Sequence, residues 1–117
     1  MPVIRTQVSV PTTRIQREAL KTAYGKAITA VPGKTEDWLM CPFIDNTPIY
    51  FAGSDTQPAA FVEVNIKGKE SRRDEPVWEK LARQITTALG TTLAIPADRI
   101  YVRFSATEEW GWNGDLL

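Results

Sequence analysis

Twice along its 117 residues the chain passes from a two-residue hydrophobic alternation to a helical stripe and back to an extended apolar run. Val3 to Val10 alternates, with Ile4, Thr6, Val8 and Val10 on one face, and predicts a strand that Pro11 stops. Thr12 or Thr13 is placed to cap a helix over Arg14 to Val31. Its apolar positions, Ile15, Ala19, Leu20, Ala23, Ala27, Ile28 and Val31, fall on one stripe. Pro32-Gly33 ends it, and Trp38 to Ile44 reads as a second strand, with Pro42 marking an edge or a bulge. After a turn at Asp45 to Pro48, a short extended piece at Ile49-Tyr50-Phe51 and a loop from Gly53 to Pro58, the order repeats. Ala59 to Ile66 alternates, and Lys67 to Glu75 is a charged loop. Pro76, preceded by Asp74 and Glu75, suits a helix first turn. Val77, Trp78, Leu81, Ala82, Ile85, Ala88 and Leu89 form the second stripe, and Ile100 to Phe104 the last strand.

Each helix is long enough to cross between parallel strands, and such crossovers are right-handed. The expected fold is therefore α+β: two β-α-β units forming one four-stranded mixed sheet with both helices on one face. One domain over residues 1–117 accounts for the length. The second sheet face then needs cover. The supply of Val, Ile and aromatic residues predicts that association between subunits provides it.

Composition narrows the chemistry. There is no histidine, which excludes Ser-His-Asp and Cys-His machinery and the usual zinc ligand sets. Cys41 is alone, so no internal disulfide or Cys-x-x-Cys pair exists, and it reads best as a small buried apolar residue. No metal and no cofactor is implied. The 14 basic and 14 acidic side chains balance, which gives no long-range attraction to nucleic acid or to an anionic membrane. No apolar run approaches the length of a membrane helix, and the first residues lack a secretory pattern. Cytoplasmic synthesis is expected, with export by another route left open. Acid–base chemistry must then come from carboxylates, Lys, Tyr, Cys41 or the N-terminal amine.

Six ordered segments carry a family resemblance: the opening Met1-Pro2-Val3-Ile4, Gly33-Lys34, Phe51-Ala52-Gly53-Ser54, Pro58-Ala59-Ala60-Phe61-Val62, Pro96-Ala97-Asp98-Arg99-Ile100-Tyr101 and Gly111-Trp112-Asn113-Gly114. Together they resemble macrophage migration inhibitory factor and its microbial homologues in the tautomerase superfamily. The resemblance runs the whole length. It implies a homotrimer with active sites between subunits and keto-enol tautomerisation of aromatic 2-oxo acids such as phenylpyruvate, or of dopachrome. In animals it also implies a cytokine role, and with it a host receptor as partner if the protein is secreted.

Residue by residue, the resemblance makes Pro2 the catalytic base once Met1 is removed. An unperturbed α-amino group titrates near about 7.7–8.0, and burial or nearby cations lower that. A retained Met1 would turn the Pro2 nitrogen into an amide and abolish its basicity. Lys34 matches the lysine that holds the substrate carboxylate; its ordinary alternative is a surface partner of the helix C-terminus. Lys67, or Ile66 if the strand is shifted by one, fills a pocket position that is usually apolar in the family. Tyr101 matches the pocket tyrosine donated by a neighbouring subunit. Arg103 stands where the best-known members carry Asn and resembles the Arg of D-dopachrome tautomerase. Trp38 and Trp110 map near the pocket mouth or serve as packing. The thiol pair of some members falls on Ala59 and Val62, so no thiol-disulfide activity is implied. Two rival readings stay open: dehalogenation or decarboxylation of small acids on the same fold, and a secreted, cytokine-like interaction protein with vestigial activity.

Overall fold

The computed structural model describes residues 1–69 and 76–117, so the expectation placed on Asp74 and Glu75 lies outside the described residues. Four strands form one sheet in the order β2-β1-β3-β4: β1 (Pro2–Val8), β2 (Phe43–Ile44), β3 (Ala60–Lys67) and β4 (Ile100–Thr107). β1 pairs parallel with β2 and antiparallel with β3, and β3 pairs parallel with β4. Helix α1 (Arg14–Ala27) makes the first crossover and α2 (Val77–Leu93) the second. The sheet is mixed because two parallel units meet back to back at the β1–β3 seam.

The alternation in the sequence decides which face meets the helices. Ile4, Thr6 and Val8 of β1 and Ala60, Val62, Val64 and Ile66 of β3 are all buried under them. Leu20, Tyr24 and Ile28 answer from the first helical segment, and Leu81, Ile85 and Leu89 from α2. Thr6 is wholly buried, and its Oγ1 lies 2.8 Å from the equally buried Tyr24 hydroxyl. Trp78 of α2 lies over Phe104 of β4 with ring centroids 4.7 Å apart.

Thr13 caps α1 with a complete capping box: its hydroxyl accepts from the Gln16 N–H, and the Gln16 side chain accepts from the Thr13 N–H. Thr12 is occupied instead by Asp45, whose carboxylate accepts from both its N–H and its hydroxyl at 2.8 Å. The α-helix closes at Ala27, and Ile28–Ala30 tightens into a 3₁₀ turn before Pro32.

One expectation needs correction. Trp38 to Ile44 is not one strand. Glu36–Trp38 is a 3₁₀ turn, Met40 makes an isolated bridge to Val3, and only Phe43–Ile44 is a ladder. Pro42 has no N–H to donate; its carbonyl still accepts from the Thr6 N–H at 3.0 Å, so the edge is broken in the middle. The open sheet face mixes polar residues with Val3, Phe61 and Tyr101. Arg5 and Glu63 pair across β1 and β3 at 2.9 Å, with Arg103 next in the row, and Ser105 hydrogen-bonds Asn65. Most of the β-branched residues of β1 and β3 lie on the helix-facing side.

A small hairpin was not anticipated. β5 (Gly111–Trp112) and β6 (Asp115–Leu116) pair antiparallel around Asn113-Gly114, both at positive φ, 54° and 82°. Asn-Gly is the dipeptide such a two-residue turn favours, and the signal stood in the sequence.

Candidate active site at the N-terminal end of the sheet

The register of β1 on β3 decides what surrounds the N-terminus. Pro2 is buried opposite Ile66, and the Lys67 N–H donates to the Met1 carbonyl at 3.0 Å. On the other side the Met40 N–H donates to the Pro2 carbonyl at 3.1 Å. Ile66 is wholly buried under the helices, so its side chain belongs to the core.

Lys34 reaches this end through a tight turn. Its N–H donates to the Val31 carbonyl at 3.0 Å, with Pro32 and Gly33 between. Gly33 has φ 78°, as the third residue of a Pro-Gly type II turn requires. Both lysines act on the N-terminal amine. On Met1 it is held below its ordinary value of 8.0, first by burial, then by Lys34, then by Lys67. Pro2, Lys34 and Lys67 are thus brought together. An amine among two cations, partly shielded from water, is inclined to the neutral, basic form.

Trp38 and Trp110 also lie at this end. Trp38 follows the turn after Lys34 and is 51% exposed. Its ring meets Trp112 edge to face, centroids 5.2 Å apart. Trp110 donates its indole N–H to the Thr107 carbonyl at 3.1 Å, and Thr107 is the register partner of Lys67. Trp112 belongs with these residues and was not singled out from the sequence; the Asn-Gly turn that folds it back was the available signal.

Tyr101 and Arg103 are not brought to Pro2 within the chain. Tyr101 pairs in register with Phe61, five positions from Ile66, which is roughly 16 Å along the strand. Its ring is 64% exposed and leans edge to face on Phe51, 5.4 Å between centroids. Arg103 lies in register with Glu63, also exposed. Beneath Tyr101, Arg99 donates to the carbonyls of Ser54, Gln57 and Pro58, each at 3.0 Å, and covers the Phe51 ring. Arg99 therefore holds the loop on which Tyr101 rests, a role visible only once the loop's carbonyls were placed.

Cys41 is a poor nucleophile. Burial first, then the Glu36 carboxylate, push its thiol up to about 11 despite Lys21 nearby, so it is protonated at neutral pH. No group of His, Cys, Asp and Glu among the described residues is arranged to hold a metal ion. No helix among them is long and apolar enough to cross a membrane.

Known proteins of the same shape are recognisable. The chain superimposes on MIF2 of Leishmania major with TM-score 0.89 and 38% identity, covering 100% of this chain and 97% of that one. The macrophage migration inhibitory factor homologue of Prochlorococcus marinus matches with TM-score 0.83 and 28% identity over 97% of each chain. The Toxoplasma gondii factor gives TM-score 0.83 at 23% identity, over 98% of this chain and 99% of that one, a likeness of fold alone. No curated protein sequence matches significantly. The profile of the family described as macrophage migration inhibitory factor (MIF) matches residues 1–117, and the chain belongs to that family.

Proposed function

We propose that the protein is a keto-enol tautomerase of phenylpyruvate-type 2-oxo acids, using the secondary amine of Pro2 freed by removal of Met1. The observation that carries this reading is the meeting of the N-terminal strand end with Lys34 and Lys67. The neutral amine lifts a proton from the carbon beside the carbonyl and returns it to oxygen. Lys34 holds the substrate carboxylate as a point charge. The tryptophans at the mouth, Trp38, Trp110 and Trp112, offer aromatic walls for an aryl group.

A second copy of the chain completes the site in this reading. Tyr101 and Arg103 lie far along the sheet from their own Pro2, exposed on the face that carries the Arg5–Glu63 pair. A homotrimer sets the Tyr101 of one subunit beside the Pro2 of the next. Sedimentation is expected to give one species of three chains, and an active monomer at high dilution would sink the shared pocket. Phenylpyruvate turnover by protein whose intact mass lacks Met1, set beside protein that retains it, tests the base. A panel adding small halogenated and decarboxylatable acids separates this reading from the rival chemistries that a cationic pocket also suits.

A further inference from the structure

The site's second lysine has a partner of its own. Lys67 Nζ lies 3.3 Å from Glu108 Oε2, across 41 residues of sequence. The geometry that sets Glu108 there is local and well tied. Thr107, the register partner of Lys67, accepts on its carbonyl from the Gly68 N–H at 2.9 Å and from the Trp110 indole at 3.1 Å. Its hydroxyl accepts from the Glu109 N–H at 3.3 Å. The chain turns about Thr107, and Glu108, at the head of that turn, projects over Lys67. The Lys67 side chain is 29% exposed and that of Glu108 is 61% exposed, so the carboxylate sits on the solvent side of the pair. An exposed pair of this kind is weak and opens readily.

We propose that Lys67 is a second anion-binding position at the mouth of the site, closed in the empty protein by Glu108. The inference rests on the tautomerase reading and gives it a substrate class: acids with a second anionic group beyond the 2-oxo carboxylate. Lys34 serves the first carboxylate. Glu108 is a carboxylate that the protein itself supplies to Lys67, and it stands where a ligand's distal anion would stand. Such a ligand displaces Glu108 into water, where it is already half-way. A ligand with one carboxylate leaves the pair closed. Glu108 is therefore a specificity-determining residue, setting how much the site gains from a second charge.

The test uses two probes that differ by one carboxylate, cinnamate and 4-carboxycinnamate, titrated by calorimetry into mass-verified, Met1-free protein. Wild type is expected to bind the dicarboxylate more tightly. Glu108→Gln should raise that preference by about 1.5- to five-fold, because the competitor is gone. Lys67→Met should abolish it, alone and together with Glu108→Gln. A preference that is equal in wild type, Glu108→Gln and Lys67→Met overturns the proposal, as does the absence of binding of either probe. Phenylpyruvate turnover, measured on the same wild-type sample, reports separately on the tautomerase reading. Turnover with no charge preference keeps that reading and removes the second position. Charge preference lost in Lys67→Met, without turnover, keeps the position and removes the reaction.

Discussion

The hydroxyls of Thr6 and Tyr24 lie 2.8 Å apart in a core where neither side chain reaches water, joining the central strand β1 to α1. Each is the other's partner. Tyr24→Phe leaves the Thr6 hydroxyl buried with no side-chain partner, which costs about 1–3 kcal/mol. Thr6→Val added to Tyr24→Phe should recover most of that loss, since both polar groups are then gone. Urea denaturation of the two single variants and the double variant measures it.

Blocking the N-terminus is the sharpest test of the base. One residue retained ahead of Pro2 makes its nitrogen an amide and changes no side chain. General-base catalysis contributes about 10²–10⁴-fold, so blocked protein should lose roughly that much turnover and stay assembled. Equal rates in blocked and processed protein exclude Pro2.

The pH profile follows from the same amine. On Met1, burial, then Lys34, then Lys67, disfavour the cationic form of the N-terminal amine. Its folded value is therefore depressed, and the neutral base persists to lower pH. Removal of Met1 would move the amine inward to Pro2, and there kcat/KM should rise with pH through a midpoint below that of an unshielded N-terminal amine. Lys34→Ala takes away one cation and should move that midpoint upward. It should also raise KM through the lost carboxylate contact. A midpoint and KM unchanged in Lys34→Ala would take Lys34 out of the site.

Much of the architecture was legible because burial and period coincide. β1 and β3 alternate cleanly, and the α2 stripe places Val77, Leu81, Ile85 and Leu89 on one face. Where the segment from Trp38 to Ile44 misled, apolar content stood in for periodicity. Trp38 and Met40 are exposed, and Pro42 interrupts the ladder. The site itself was legible only through family resemblance. Nothing in residue order says that Pro2 faces Ile66 or that Glu108 lands on Lys67; register across the sheet decides both. Lys34 too came from the resemblance, although Pro32-Gly33 marks the turn that presents it.

Arg99 makes a structural forecast possible at the other end of the sheet. Its three bonds to the carbonyls of residues 54, 57 and 58 are charge-assisted, and Arg99→Ala leaves those acceptors to water. The cost is expected at about 1–3 kcal/mol of stability. The loop should also become the first site of proteolytic cleavage, which limited digestion and mass spectrometry would locate. Arg99→Lys keeps the charge but cannot span three carbonyls, and should recover only part of the loss.

The seam between β1 and β3 has a consequence for how the protein is made. Within this sequence β1, which ends at the centre of the sheet, is synthesised well before its main partner, which begins at Ala60. At about 5–20 residues per second, several seconds pass before Ile66 exists to face Pro2. In the tautomerase reading Met1 is removed, and during that interval it lies on an unpaired chain, open to an aminopeptidase. Once β3 arrives, the Met1 carbonyl is bonded to Lys67 and Pro2 is buried. Processing and folding therefore compete for the same end of the chain. In the tautomerase reading, the fraction of molecules with a free proline should then follow synthesis rate and enzyme supply, and intact mass and turnover compared across expression rates would measure it.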